Sequence, residues 1–225
     1  MADLQAVVFD WRGTLVTTLN SEQWVREALR LLGRDQGAAS VAAVHGAIER
    51  AAGNPNRLEA AGVDSDKGLH HDTYYSVLSE AGLDAELADA LYTVESDPAY
   101  NHFADDVAET LHAVSARGCG VAILSDIHFD LRPVFAEAGL DRFVNAFVLS
   151  FERGMQKPQL AMFRSALDEL GTEPGRTLMV GDRASYDGVA VELGMPTMLV
   201  PPLTDARQRR LHHVRNLVGS VPTSS

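Results

Sequence analysis

Apolar positions in this chain repeat in two ways, and the switches between them divide it into elements. Residues 4–9 carry an unbroken apolar run, Ala6-Val7-Val8-Phe9, that stops at Asp10. A run of this kind, apolar on both faces, is the pattern of a central strand in a parallel sheet. Short runs of the same type recur at 120–124, 146–150, 177–180 and 197–200. Between them the spacing changes to three and four residues. Val107, Leu111 and Val114 mark a helix that ends at Gly118. Val134, Phe135 and Ala138 mark one that Asp130 can cap and Gly139 ends. Leu160, Phe163, Leu167 and Leu170 mark another, with Pro158 in its first turn and Gly171 as its stop. Helical spacing is predicted again over 186–193 and 205–218, followed by a weakly structured tail at 219–225.

The stretch 17–100 differs, because no strand pattern occurs in it. Ser21 is predicted to cap a helix with Trp24, Val25, Ala28, Leu29 and Leu32 at helical spacing before Gly33. Ser40 is predicted to cap a second, over 41–52 with Val41, Val44 and Ile48 on one face. After the loop Gly53-Asn54-Pro55-Asn56, two further helices are predicted over 72–81 and 84–94, with Asp97-Pro98 closing the block. Strands alternating with helices imply an α/β fold: a Rossmann-like parallel sheet in a three-layer core. The core domain is expected to comprise 1–16 and 101–225, interrupted by an all-helical domain at 17–100.

Composition narrows the choice of partners. The chain has 225 residues and a formal net charge of −12, with 46% hydrophobic and 22% charged residues. That balance fits a globular protein and argues against a nucleic-acid binder, which rewards clustered Lys and Arg. The basic run Arg207, Arg209, Arg210 reads as a solvated helix face. With one cysteine, Cys119, there is no internal disulfide; its apolar setting suggests a small buried side chain. The N-terminus lacks a signal-peptide pattern and no window of 18 apolar residues occurs, so a cytoplasmic protein without a membrane partner is expected. Only two lysines are present, Lys67 and Lys157, against 17 arginines.

In a parallel sheet every strand delivers its C-terminal end to one edge, where ligands bind. The strand ends and following loops bring Asp10, Ser125, Lys157 and Asp182 there, with Asp187 one turn on. Carboxylates are the ligands Mg²⁺ prefers. A lysine neutralises a phosphoryl group or a nucleophilic carboxylate, and a serine hydroxyl donates to a phosphoryl oxygen. The set suits Mg²⁺-assisted phosphoryl transfer to a carboxylate.

Four strings in order carry a resemblance to the haloacid dehalogenase (HAD) superfamily. They are Asp10-Trp11-Arg12-Gly13-Thr14-Leu15 after an apolar strand, Ile123-Leu124-Ser125, Lys157-Pro158, and Gly181-Asp182-Arg183-Ala184-Ser185-Tyr186-Asp187. They span nearly the whole chain, and 17–100 is similar to the family's first type of helical cap. The resemblance implies Asp10 as nucleophile and Mg²⁺ ligand, Asp182 as ligand, and Asp187 as ligand directly or through water. It implies that Ser125 and Lys157 hold the phosphoryl group, and that the backbone carbonyl of residue 12 binds metal. The substrate it implies is a small phosphorylated metabolite.

Arg12 departs from the pattern. Family phosphatases usually carry a second aspartate there, which protonates the leaving group and then activates water. An arginine, with a pKa above about 12, performs neither task at neutral pH. Arg12 is left with three roles: an anion clamp, a partner of Asp10 that shuts the site, or the mark of a silent binding protein. Phosphonoacetaldehyde hydrolases, similar in Asp-Trp-x-Gly-Thr, would require a cap lysine, here Lys67. Dehalogenases need no metal. His128, three residues after Ser125, is the titratable candidate to substitute for the missing acid–base group.

Overall fold

The structure is a computed structural model and describes residues 4–219. The chain divides into two compact units, one formed by residues 1–18 and 101–225 and the other by Leu19–Tyr100.

Among the described residues the first unit contains a five-stranded parallel sheet: β1 (Ala6–Phe9), β2 (Gly120–Ser125), β3 (Ala146–Leu149), β4 (Thr177–Gly181) and β5 (Thr197–Leu199), in the order β3-β2-β1-β4-β5. Strand β1 is central, with Phe9 level with Ile123 on one side and with Val180 on the other. All four of its residues are buried, as an apolar run without polar alternation requires.

The period of two sends alternate strand residues to opposite faces. Val7, Phe9, Val121, Ile123, Leu178 and Val180 join one apolar cluster, and Val8, Ala122, Leu124, Val148 and Met179 join another. The first is covered by Leu111 and Val114 of the helix Val107–Ser115, Phe135 of the helix Arg132–Glu137 and Val214 of the helix His212–Val218. The second is covered by Met162, Phe163, Ala166 and Leu167 of the helix Leu160–Leu170 and by Ala190 of the 3₁₀ turn Gly188–Leu193. The result is a three-layer α/β sandwich. Cys119 is buried in the first cluster.

The other unit packs four helices around Val25, Leu29, Val41, Ile48, Val77, Leu78, Leu87, Leu91 and Val94. They are α1 (Ser21–Leu31), α2 (Ala38–Ala52), α3 (Lys67–Glu80) and α4 (Ala85–Ser96). Trp24 packs against this core and donates its indole N–H to the Leu91 carbonyl at 2.8 Å. Asp84 accepts the Leu87 amide at 3.0 Å as N-cap of α4, and Arg34 pairs with the same carboxylate at 2.6 Å. These two contacts, the arginine above all, pull the Asp84 carboxyl down to about 2.

Several element boundaries differ from the sequence expectations. Asn20, not Ser21, caps α1: its side chain accepts the Gln23 amide while Gln23 reaches back to the Asn20 amide, a reciprocal capping box. Helix α2 begins at Ala38, and Ser40 lies inside it, bonded to Asp35. Helix α3 begins five residues before the expected start because Asp66 accepts the Leu69 amide at 2.7 Å. A short helix, Ser150–Arg153, follows β3 where the strand was expected to run through Ser150. Pro158 lies two residues before Leu160–Leu170 rather than in its first turn. The largest correction concerns 205–218, where only His212–Val218 is helical. Asp205 folds back on the Arg207 amide at 3.0 Å, and Arg210 points into the protein. The expected tail at 219–225 lies, apart from Gly219, outside the described residues.

Candidate active site

Strand β1 leads into Asp10, whose amide continues the ladder by donating to the Val180 carbonyl at 2.9 Å. The chain then turns tightly: the Leu15 amide donates to the Trp11 carbonyl at 2.8 Å and the Gly13 amide to the Val16 carbonyl at 2.9 Å. Gly13 sits at φ +77°, in the left-handed region, and a Cβ there would collide with the Asp182 carboxylate. Gly13→Ala is therefore expected to cost more than the ~1–3 kcal/mol of a strained backbone alone. Urea denaturation checks this; a loss below about 1 kcal/mol would show that Asp182 moves freely aside.

The turn returns a hydroxyl to the strand end. Thr14 Oγ1 donates to Asp10 Oδ2 at 2.9 Å, and Lys157 Nζ donates to Asp10 Oδ1 at 2.7 Å. The same ammonium donates to Asp187 Oδ1 at 2.6 Å. Asp187 Oδ2 accepts the amides of Asp182 and Arg183 at 3.1 and 3.0 Å. Gly181 is the reason the carboxylate can come so close, because a Cβ there would overlap it. Lys157 is fixed at its other end as well, its amide donating to Asp126 Oδ1 at 2.8 Å. Asp10, Lys157 and Asp187 are all buried.

Two carboxylates thus share one ammonium, with Asp126 and Asp182 nearby, and burial together with these charges sets their proton affinities. Burial pushes the Asp10 carboxyl up to about 7; Lys157 opposes the shift, and the charges of Asp187 and Asp182 add to it. Burial works against the charge on Lys157, but Asp10, Asp187 and Asp126 outweigh it and raise its pKa. Burial also raises Asp126, against the pull of Lys157. Asp182 is raised by burial and then by Asp187.

Oxygen atoms of Asp10, Asp182 and Asp187 lie within 4.8 Å of one another, and Asp182 Oδ1 is buried with no hydrogen-bond partner among the described residues. An orphaned buried carboxylate oxygen beside two further carboxylates fits a bound divalent cation of the oxygen-preferring type.

The other expected residues have these positions. Ser125 is buried at the end of β2, level with Leu149 of β3. The Arg12 guanidinium lies 5.8 Å from the Trp11 ring and 6.0 Å from the Phe129 ring, two rings that meet edge to face at 5.9 Å. Arg12 is half-buried and its backbone bridges to Val16. His128 is buried with its ring edge to face with Phe129 at 5.1 Å. Lys67 opens α3 in the helical unit. Sequence reasoning missed two contributors. Asp126 stood beside Ser125 but was assigned no task. Arg210, read as part of a solvated face, is 9% exposed and donates to the carbonyls of Gly13 and Thr14 at 3.0 and 2.6 Å.

A central parallel strand that delivers a carboxylate to a buried lysine–aspartate cluster defines an α/β protein with a hydrolase-like sheet-edge site. Comparison with known proteins places it more closely. A family model, haloacid dehalogenase-like hydrolase, matches residues 4–190. The chain is 28% identical over 156 residues to glyceraldehyde 3-phosphate phosphatase of Methanothermobacter thermautotrophicus, covering 64% of this chain and 67% of that protein. It is 30% identical over 99 residues to ribulose-1,5-bisphosphate 5-phosphatase of Halopiger xanaduensis, covering 43% of this chain and 41% of that protein. Among solved structures, a dehalogenase superposes with a TM-score of 0.69 at 23% identity, covering 98% of this chain and all of that one. A HAD phosphatase from Thermococcus onnurineus gives 0.63 at 22% identity, covering 96% and 98% of the two chains. The chain belongs to the haloacid dehalogenase-like hydrolase family and is a HAD-superfamily enzyme. Among the described residues no helix is long and apolar enough to cross a membrane.

Proposed function

We propose that this protein is a Mg²⁺-dependent hydrolase of phosphatase type that acts on a small phosphorylated metabolite through an aspartyl-phosphate on Asp10. The observation that carries the reading is the hold on Asp10: one oxygen on Lys157, the other on Thr14, both buried. The relatives' printed activities, both removal of phosphate from small metabolites, support it.

In this reading Asp10 attacks phosphorus, the Asp10–phosphorus bond forms, and the bond to the leaving oxygen breaks. Lys157 favours the ionised form of Asp10 against its burial and, with Ser125, binds the phosphoryl oxygens. Water then attacks the aspartyl-phosphate, releasing phosphate and restoring the carboxylate. Asp10, Asp182 and the Arg12 carbonyl would hold Mg²⁺, which supplies charge neutralisation for the phosphoryl group. Asp187 is committed to Lys157 and two amides. Its part is to keep Lys157 and the Gly181–Arg183 turn in place, and it would serve the Mg²⁺ site through water. In this reading the helical unit, 19–100, is the family's cap domain.

Arg12 decides which substrates turn over. Its guanidinium stays charged and rests on Trp11 and Phe129, so it clamps anionic groups and moves no proton. Wild type is expected to hydrolyse acyl and aryl phosphates, whose leaving groups depart without a proton, far better than sugar phosphates. Arg12→Asp is expected to raise turnover of alkyl phosphates by about 10²-fold or more, the ordinary contribution of a placed acid–base group. Assays of both proteins on a graded leaving-group series with Mg²⁺ test this. If wild type and Arg12→Asp are both inert on every phosphate ester, the hydrolase reading gives way to a phosphate-binding protein.

A further inference from the structure

The segment between β5 and the last helix carries three arginines, Arg207, Arg209 and Arg210, and they have different surroundings. Arg207 pairs with Asp205 at 2.6 Å and Arg209 pairs with Glu109, both with exposed side chains. Arg210 is buried, and among the described residues it makes no ion pair. Its guanidinium is met by backbone carbonyls. Nη1 donates to Gly13 at 3.0 Å and to Pro201, and Nη2 donates to Thr14 at 2.6 Å. Burial pulls its pKa down, with the charges of Asp106 and Asp182 opposing.

A buried cation is costly unless well hydrogen-bonded, so a residue that only filled this space would be better apolar. What an arginine offers is a rigid planar fork that holds two successive carbonyls at once, which a flexible ammonium does not. The two carbonyls it holds belong to the turn after Asp10. Thr14 carries the hydroxyl that donates to Asp10 Oδ2 at 2.9 Å. Gly13 packs against the Asp182 carboxylate, and its carbonyl also accepts the Leu203 amide at 2.8 Å. Residues 201–210 therefore hook onto the turn twice, once through Leu203 and once through the guanidinium.

We propose that Arg210 is a positioning residue of the hydrolytic site. It fixes the Gly13–Thr14 peptide planes, and through them the Thr14 hydroxyl on Asp10 and the close fit of Gly13 to Asp182. The catalytic consequence rests on Asp10 being the nucleophile; the hold on the turn does not.

The test has two arms. Amide hydrogen exchange is compared in wild type, Arg210→Met and Arg210→Lys. The amides of Gly13, Leu15 and Val16, which close the turn, are expected to exchange about tenfold faster or more in both variants, while Val7 and Val8 of β1 are unchanged. In the second arm, turnover of p-nitrophenyl phosphate with Mg²⁺ is measured for Arg210→Met, Thr14→Val and the double variant. Arg210→Met is expected to lower kcat by about 10²-fold, the scale of a 1 Å misplacement, with KM little changed. The double variant is expected to fall no further than the worse single variant, because both act through the same hydrogen bond. Arg209→Met, at the neighbouring surface arginine, is expected to match wild type. Unchanged exchange across 13–16, or kcat losses that simply multiply, overturns the proposal. Arg210→Lys keeps the charge and decides the exchange arm if Arg210→Met does not fold. Full turnover by Asp10→Asn sinks the nucleophile reading instead, and exchange alone then decides whether Arg210 holds the turn.

Discussion

Asp10→Asn is expected to abolish turnover, by on the order of 10⁴-fold or more, while leaving the fold intact. The size follows from the proposed covalent route, in which a lost nucleophile removes the reaction path rather than one contribution to it. Retention of the fold follows from the surroundings. Asparagine fills the same space, and its oxygen still accepts from Lys157 or Thr14. Lys157 keeps Asp187 at 2.6 Å and the nearby charge of Asp126. A buried ionised carboxylate is removed in the exchange, so the variant is expected to melt no lower than wild type at pH 8. Turnover and a thermal melt on the same preparation check both halves. Residual turnover within tenfold of wild type would remove Asp10 from the chemistry. A variant that is inactive only because it is unfolded would leave the melt, rather than the assay, as the informative result.

Lys157→Met is expected to cost about 3–5 kcal/mol of stability at pH 8, the range for removing one partner of a buried ion pair. Methionine matches the length of the lysine stem but leaves Asp10 and Asp187 facing each other without a cation. The cost should depend on pH in a definite direction. The folded-state pKa of Asp10 is raised to about 7, so between the unfolded value and 7 the native state binds the extra proton. Its contribution to stability is therefore present below the unfolded pKa and lost as pH rises through 7. Asp126 and Asp182, also raised, act in the same direction. Removing the lysine makes each proton more necessary, so the variant is expected to lose less at pH 5 than at pH 8. Urea denaturation of both proteins at the two pH values measures this. A cost equal at pH 5 and 8 would show that the carboxylates do not compete for the ammonium. If the carboxylates hold Mg²⁺ as proposed, the ion would bind their ionised forms and is expected to stabilise wild type more at pH 8 than at pH 5.

The two kinds of apolar spacing were enough to recover the five strands and the helical block, because burial on both faces and on one stripe leave different patterns. The strand ends then named Asp10, Ser125, Lys157, Asp182 and Asp187, since parallel strands share one edge. The sequence did not show which oxygen faces which donor. Asp187 reads as one more acidic residue in a Gly-Asp string, yet its two oxygens are divided between an ammonium and two amides. Arg210 left no trace at all. A buried arginine whose two terminal nitrogens are held by carbonyls has no partner side chain to betray it, and its neighbours Arg207 and Arg209 are exposed. The helix boundaries failed for a related reason: the caps depend on individual side-chain contacts, two at Asn20 and one at Asp66, which spacing does not record.

The central place of β1 also dictates an order of assembly. Its two neighbours in the sheet begin at Gly120 and Thr177, and Asp182 and Asp187 follow the second of them. A growing chain that has not yet reached 177 presents Asp10 on a strand with one open edge and no acidic partners. Such an edge pairs readily with other chains. The carboxylates that complete the proposed site therefore arrive directly after the strand that covers the open edge of β1. Truncation before 177 is for that reason expected to lower solubility as well as activity, which the soluble fraction of a chain ending at 176 would measure.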